Sequence, residues 1–142
     1  MAPHPIRIGV CYYPEHWPEE RWETDATMMA ELGLDCVRIG EFAWSEMEPR
    51  EGEFEFGWLE RAVETLTRHG LDVILGTPTA TPPRWLTSRY PEVLQWDERG
   101  AVRGPGSRRH YCANAPEYRR LSARIVEEMG RRFGQHSGVI GW

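Results

Sequence analysis

Apolar and polar positions follow two different periods along this chain. Four short apolar runs have strand length: residues 6–13 (IRIGVCYY), 34–39 (LDCVRI), 71–76 (LDVILG) and 138–142 (GVIGW). The second run has the nearly continuous apolar character of a strand buried on both faces. Between the runs the period lengthens to that of a helix. After Pro18, which suits a first helical turn together with Glu19 and Glu20, the residues Trp22, Ala26, Met29 and Leu32 recur at spacings of four, three and three. Trp58, Leu59, Ala62, Val63 and Leu66 define one face of a second helix over 57–69. Tyr118, Leu121, Ile125, Met129 and Phe133 define that of a longer helix, with Asn114 as N-cap, Pro116 just inside it and Gly134 closing it. Residues 77–113 are proline-rich and show no long period. They read as a long functional loop, with a short helix over 83–88 that turns Trp85 and Leu86 inward.

Two helix-to-strand junctions repeat. Gly33-Leu34-Asp35-Cys36-Val37 is echoed 37 residues later by Gly70-Leu71-Asp72-Val73-Ile74. Each glycine suits a left-handed helix cap. Strands and helices alternating at this interval imply parallel strands joined by right-handed crossovers. The fold class is therefore α/β. The expected architecture is the N-terminal portion, about three and a half βα units, of a (β/α)8 TIM barrel, which takes about 250 residues when complete. Residues 1–142 are expected to form one N-terminal part of that barrel, cut within the fourth strand.

Composition narrows the function. With 40% hydrophobic and 27% charged residues the chain is globular. A net charge of -5 speaks against nucleic acid or an anionic membrane as partner. No signal peptide or membrane span is visible, so a cytoplasmic location is expected. Cys11, Cys36 and Cys112 show no CxxC spacing. Cys11 and Cys36 lie in apolar runs and are expected in the core. Seven tryptophans are many for this length, and Trp17, Trp44, Trp85 and Trp96 fall outside the expected strands and helices. Any one of them could equally plug the mouth of the fold; as a group they suit a mouth that binds the flat apolar faces of sugars.

Candidate chemistry centres on residues 34–49, where the second strand breaks at Gly40 into Glu41, Phe42, Trp44 and Glu46. Arg38 lies within the apolar run, where an unpaired guanidinium is costly, and Glu41 is the nearest carboxylate. Charge and aromatics delivered at a strand's C-terminal end are how a barrel builds its site. Glu15, Glu46 and Glu48 are candidate acids by position only, with a solvated loop acid or a helix-terminus partner as the ordinary reading. His16 and His110 are further titratable groups near strand ends.

Four motifs occur in order: YYPEHWP, VRIGEFAWSEMEP, GTPTATPPRWL and GSRRHYCANAPEYR. Together, over residues 6–142, they resemble the N-terminal part of the catalytic barrel of glycoside hydrolase family 42 β-galactosidases. The resemblance implies a retaining enzyme acting on β-galactoside oligosaccharides by double displacement with two glutamates. In the family the acid/base glutamate follows an Asn just after the fourth strand, and the nucleophile comes from a much later strand. Both then lie beyond Trp142, so no catalytic residue is assigned here. Arg108 matches the family's substrate-binding arginine. Arg38 and Glu41 resemble its pocket floor, with Trp44 beside them on the substrate-binding side. Cys112 matches the first ligand of a structural zinc site found in many members, whose other ligands are later cysteines. No organic cofactor is implied. The full-length protein is expected to be a homo-oligomer, often a trimer in this family.

Two other readings fit part of the pattern. One is another barrel glycosidase of the same clan, which the RRHYC motif disfavours. The other is a non-catalytic sugar-binding or oligomerisation module. DNA downstream of codon 142 separates them: a glycosidase is expected to continue in frame into an Asn-Glu pair, and a stop codon favours the module.

Overall fold

A computed structural model describes residues 6–106 and 109–142. The chain divides into two compact units. One comprises the segments up to Gly40, Gly57–Gly76 and Gln135–Trp142; the other comprises Glu41–Phe56 and Thr77–Gly134.

The first unit is a four-stranded parallel sheet with two helices. Strands β1 (Gly9–Cys11), β2 (Cys36–Ile39), β3 (Asp72–Leu75) and β4 (Val139–Gly141) lie side by side in chain order. Helix α1 (Glu19–Glu31) joins β1 to β2, and α3 (Gly57–Arg68) precedes β3. The register places Val10, Val37, Val73 and Val139 in one row across the sheet. Val37, Ile39, Val73 and Leu75 are fully buried and share a face by the two-residue alternation of strands. Trp22, Ala26 and Met29 of α1 and Leu59, Ala62, Val63 and Leu66 of α3 supply the rest of this core. Pairs Arg61–Glu19 and Arg68–Glu23 run between the two helices on their exposed side.

The repeated junction has a physical counterpart. Gly33 and Gly70 both adopt φ +77°, a conformation costly for a residue with a Cβ. At each, the next residue's N–H donates back into the helix, from Leu34 to Met29 O (3.2 Å) and from Leu71 to Leu66 O (3.1 Å). Each aspartate then engages the start of the first strand. Asp35 Oδ2 accepts the Ile8 N–H at 2.8 Å, while its own N–H donates to Ile8 O at 2.8 Å. Asp72 pairs with Arg7. The junction thus caps a helix and sets strand register in five residues.

Some expectations are corrected. The first strand is Gly9–Cys11 rather than 6–13, and Ile6, Ile8 and Val10 are exposed, since β1 is an edge strand among the described residues. The second strand alternates rather than being buried on both faces. Cys36 and Arg38 fall on the face opposite Val37 and Ile39, so Arg38 is exposed and meets no burial cost. For the same reason Cys36 is only half-buried, and Cys11 is exposed.

In the second unit, α2 (Trp44–Met47) follows β2 in sequence, and α4 (Arg84–Arg89) lies within the long segment after β3. The 18-residue α5 (Pro116–Phe133) buries Tyr118, Leu121, Ile125, Met129 and Phe133 on the expected face. Its N-cap is Ala115 rather than Asn114, because the residue before Pro116 is held extended. No helix among the described residues is long and apolar enough to cross a membrane.

Gly9 sits opposite Cys36, where an added Cβ would lie 2.4 Å from Cys36 O and 2.6 Å from its Sγ. Gly9→Ala is expected to destabilise the protein by about 1–3 kcal/mol through overpacking. A urea midpoint equal to that of the parent would contradict this packing.

Candidate functional site

The second unit gathers most of the chemistry singled out in the sequence. Its segments follow the C-terminal ends of β2 and β3 in the chain, the positions from which a parallel barrel builds its site. Glu41, just past Gly40, is 6% exposed. Trp44, three residues on, opens α2.

Trp44 is fully buried, which corrects its expected place as an open indole at the mouth. Its Nε1–H donates to Glu48 Oε2 at 2.9 Å, and its ring packs against that of Tyr118, with centroids 6.4 Å apart. Trp85 lies in α4, the short helix expected there, and donates its indole N–H to Glu48 O at 2.8 Å. Both satisfy their polar edge internally, Trp44 fully buried and Trp85 half-buried. Trp96 and Trp17 are 64% and 46% exposed, as expected for loop positions. Trp17, in the first unit, carries the Arg21 guanidinium 4.4 Å above its ring.

Glu48 is the residue that sequence reasoning most misjudged. Read as a solvated loop acid or a helix-terminus partner, it does end α2, but it is fully buried. Besides the Trp44 indole, it accepts the Gly52 N–H on Oε1 at 2.7 Å and pairs with Arg124 of α5. Glu51 is the centre of a second set, with the Tyr90 hydroxyl at 3.1 Å, Arg89 at 3.0 Å and Arg120 at 3.5 Å. Glu46, by contrast, is exposed.

The long segment after β3 is more ordered than its proline content suggests. Isolated antiparallel bridges link Leu94 to Tyr111 and Trp96 to Val102. Asp97 turns the chain between them by accepting the N–H groups of Arg99 (2.9 Å) and Ala101 (2.8 Å). That aspartate three residues before Gly100 was the available signal for this turn. Arg108 lies outside the described residues. Its neighbour Arg109 has a left-handed backbone (φ 60°), uncommon for a residue with a Cβ. His110 is buried, and Tyr111 stacks on Tyr118 at 4.0 Å between centroids.

Cys112 is half-buried beside a surface depression lined by Gln95, Arg103, Arg109 and Tyr111. Among the described residues no group of three or more His, Cys, Asp or Glu is placed to hold a metal ion. Cys112 therefore offers one thiolate where a structural zinc needs four ligands. Arg38 belongs to the first unit, on the exposed sheet face with Cys36.

A four-stranded parallel sheet in chain order, with carboxylates, arginines and aromatics in the segments that follow its second and third strands, defines the class: the N-terminal portion of a (β/α)8 barrel. The family follows from comparison with known proteins. The sequence profile of glycoside hydrolase family 42, described as beta-galactosidase, matches residues 11–142, and the chain belongs to that family. It is 56% identical over 135 residues to a beta-galactosidase of Thermus thermophilus, covering 95% of this chain and 21% of the relative. It is also similar to the solved structure of the beta-galactosidase from the psychrophilic Marinomonas ef1. That match has a TM-score of 0.92 and 52% identity, and covers 96% of this chain and 21% of that one. The beta-galactosidase of the Antarctic haloarchaeon Halorubrum lacusprofundi gives 0.92 and 50%, covering 96% of this chain and 20% of that one. The chain thus spans about a fifth of the length of these relatives.

Tyr118 provides a pH test of this packing. Burial first, then the Tyr111 hydroxyl, raises its phenol well above the ordinary 10.0, and it donates to Thr79 O at 2.6 Å. A phenol raised on folding contributes stability that is complete below the unfolded value and lost as pH climbs past it. Stability is expected to hold up to about pH 10 and then fall. Tyr118→Phe should make the fall shallower without removing it, because burial and Asp25 raise Tyr12 likewise. Denaturation midpoints from pH 8 to 11 check this, and identical slopes in the two proteins would refute it.

Proposed function

We propose that this chain works as the N-terminal barrel portion of a retaining β-galactosidase that removes terminal non-reducing β-D-galactose from β-galactosides. The observation that carries the reading is the family match running through residues 11–142. Retention requires two carboxyls about 5–5.5 Å apart, one protonating the leaving oxygen and later activating water, the other attacking the anomeric carbon. Neither glutamate is assigned within these 142 residues. The part of this chain is to shape and hold the pocket into which later strands bring them.

Within that division of labour, Arg108 hydrogen-bonds the sugar, and Glu41 and Arg38 form the pocket floor. Glu41's low exposure supports a floor position, since a buried carboxylate is held in place to orient its neighbours. Trp44 supports the pocket from behind, because a fully buried indole cannot touch sugar. No organic cofactor is needed for this chemistry. A structural zinc, where the complete protein has one, takes Cys112 as one thiolate and its other ligands from elsewhere in the polypeptide. The complete protein is proposed to be a cytoplasmic homo-oligomer, a trimer being the first arrangement to test.

The test is hydrolysis of nitrophenyl glycosides by the complete polypeptide. The β-D-galactoside should be preferred over the β-D-glucoside and β-D-xyloside. Arg108→Ala should lower kcat/KM by about 10- to 100-fold, the value of one or two hydrogen bonds to a charged group. A preference for another sugar would move the assignment to a different barrel glycosidase. The 142-residue chain alone is expected to show no turnover.

A further inference from the structure

We propose that Glu48 is a positioning residue for the sugar site, holding together the two stretches that the reading above assigns to substrate. The inference rests on that reading, but its geometry is independent of it.

Glu48 has every polar atom engaged although no part of it reaches solvent. Its N–H donates to Trp44 O at 2.8 Å, and its carbonyl accepts the Trp85 indole at 2.8 Å. Oε2 accepts the Trp44 indole at 2.9 Å, while Oε1 takes the Gly52 N–H at 2.7 Å and pairs with Arg124. A single side chain and its peptide group therefore join α2, the turn after it, α4 and α5. Arg124 itself lies over the Phe54 ring at 5.7 Å and reaches toward Glu51 at 3.8 Å.

Stability alone is a poor reason for such a pair. Desolvating two charges costs several kcal/mol, and apolar residues of equal volume often serve as well or better. A hydrogen-bonded carboxylate with fixed donors instead admits one arrangement of its neighbours. The arrangement it fixes runs in two directions. Trp44 is three residues from Glu41, so anchoring its indole anchors the start of the segment after β2. The Trp44 ring packs on Tyr118, and Tyr118 stacks on Tyr111, which lies between Arg108 and Cys112 in the sequence. The two substrate stretches thus share one buried reference point, although neither contains it.

The test compares the complete polypeptide with Glu48→Gln and with the double variant Glu48→Gln/Arg124→Met, in which no charge is left unpaired. Three quantities are read: the melting temperature, hydrogen exchange of peptides covering residues 41–47 and 109–118, and KM and kcat on nitrophenyl β-D-galactoside. The double variant is expected to melt only a few degrees below the parent, since the Gln amide keeps one acceptor oxygen and leaves one of the Trp44 and Gly52 N–H donors without its partner. Exchange in both peptides should nonetheless rise about tenfold, with KM at least about fivefold higher and kcat less affected. A double variant that matches the parent in exchange and in KM would overturn the proposal and leave Glu48 a purely stabilising role. If the parent hydrolyses no galactoside, the functional reading fails separately, and the exchange measurement alone decides the role of Glu48.

Discussion

A carboxylate that cannot reach water must be given all its hydrogen bonds by the protein, and Glu48 states that constraint more sharply than any other described residue. Its donors come from a tryptophan four residues before it, a backbone amide four residues after it and an arginine 76 residues away. The second unit is arranged so that these arrive together. The short α2 ends where Glu48 begins, the turn through Gly52 folds back over it, and α4 presents Trp85 to its carbonyl. Glu51 repeats the device nearer the surface with Arg89, Arg120 and Tyr90. The aromatic stack of Trp44, Tyr118 and Tyr111 then transmits this order through apolar contact, where the carboxylates cannot follow.

The sheet unit solves a different problem by repetition. Parallel strands need crossovers of fixed length and a reliable way to leave each helix. The Gly-Leu-Asp junction provides both: the glycine reverses the chain at positive φ, the leucine amide closes the helix end, and the aspartate ties down the beginning of β1. Using it twice puts Val10, Val37 and Val73 on one line, and β4 adds Val139 to the row. Alternation does the rest, sending Val37, Ile39, Val73 and Leu75 to the covered face and Cys36 and Arg38 to the other.

Local rules made the sheet legible from sequence. A left-handed glycine, a proline at a helix start and an apolar stripe each report on residues within one or two turns, and α1, α3, α5 and the four parallel strands followed from them. Strand lengths were overestimated where apolar residues continued past the last paired neighbour, as at Ile6 and Ile8. The candidate site was legible only in part. Glu41 and the 108–112 motif could be picked out because they follow strand ends and match a known pattern. Glu48 could not, because an isolated glutamate after a short helix looks solvated until Arg124 and two indoles are known to converge on it. Trp44 was misplaced for the matching reason: a tryptophan outside an obvious stripe reads as exposed, yet its indole finds a buried acceptor on Glu48.

The function proposed for the complete protein gives this portion the work of positioning and leaves bond cleavage to groups outside it. The most direct test is the stereochemistry of hydrolysis. Proton NMR of a β-galactoside treated with the complete polypeptide should show the β-anomer of free galactose first, with α-galactose appearing later by mutarotation, because a double displacement preserves configuration. Early appearance of the α-anomer would mean single displacement by water, and would contradict the account.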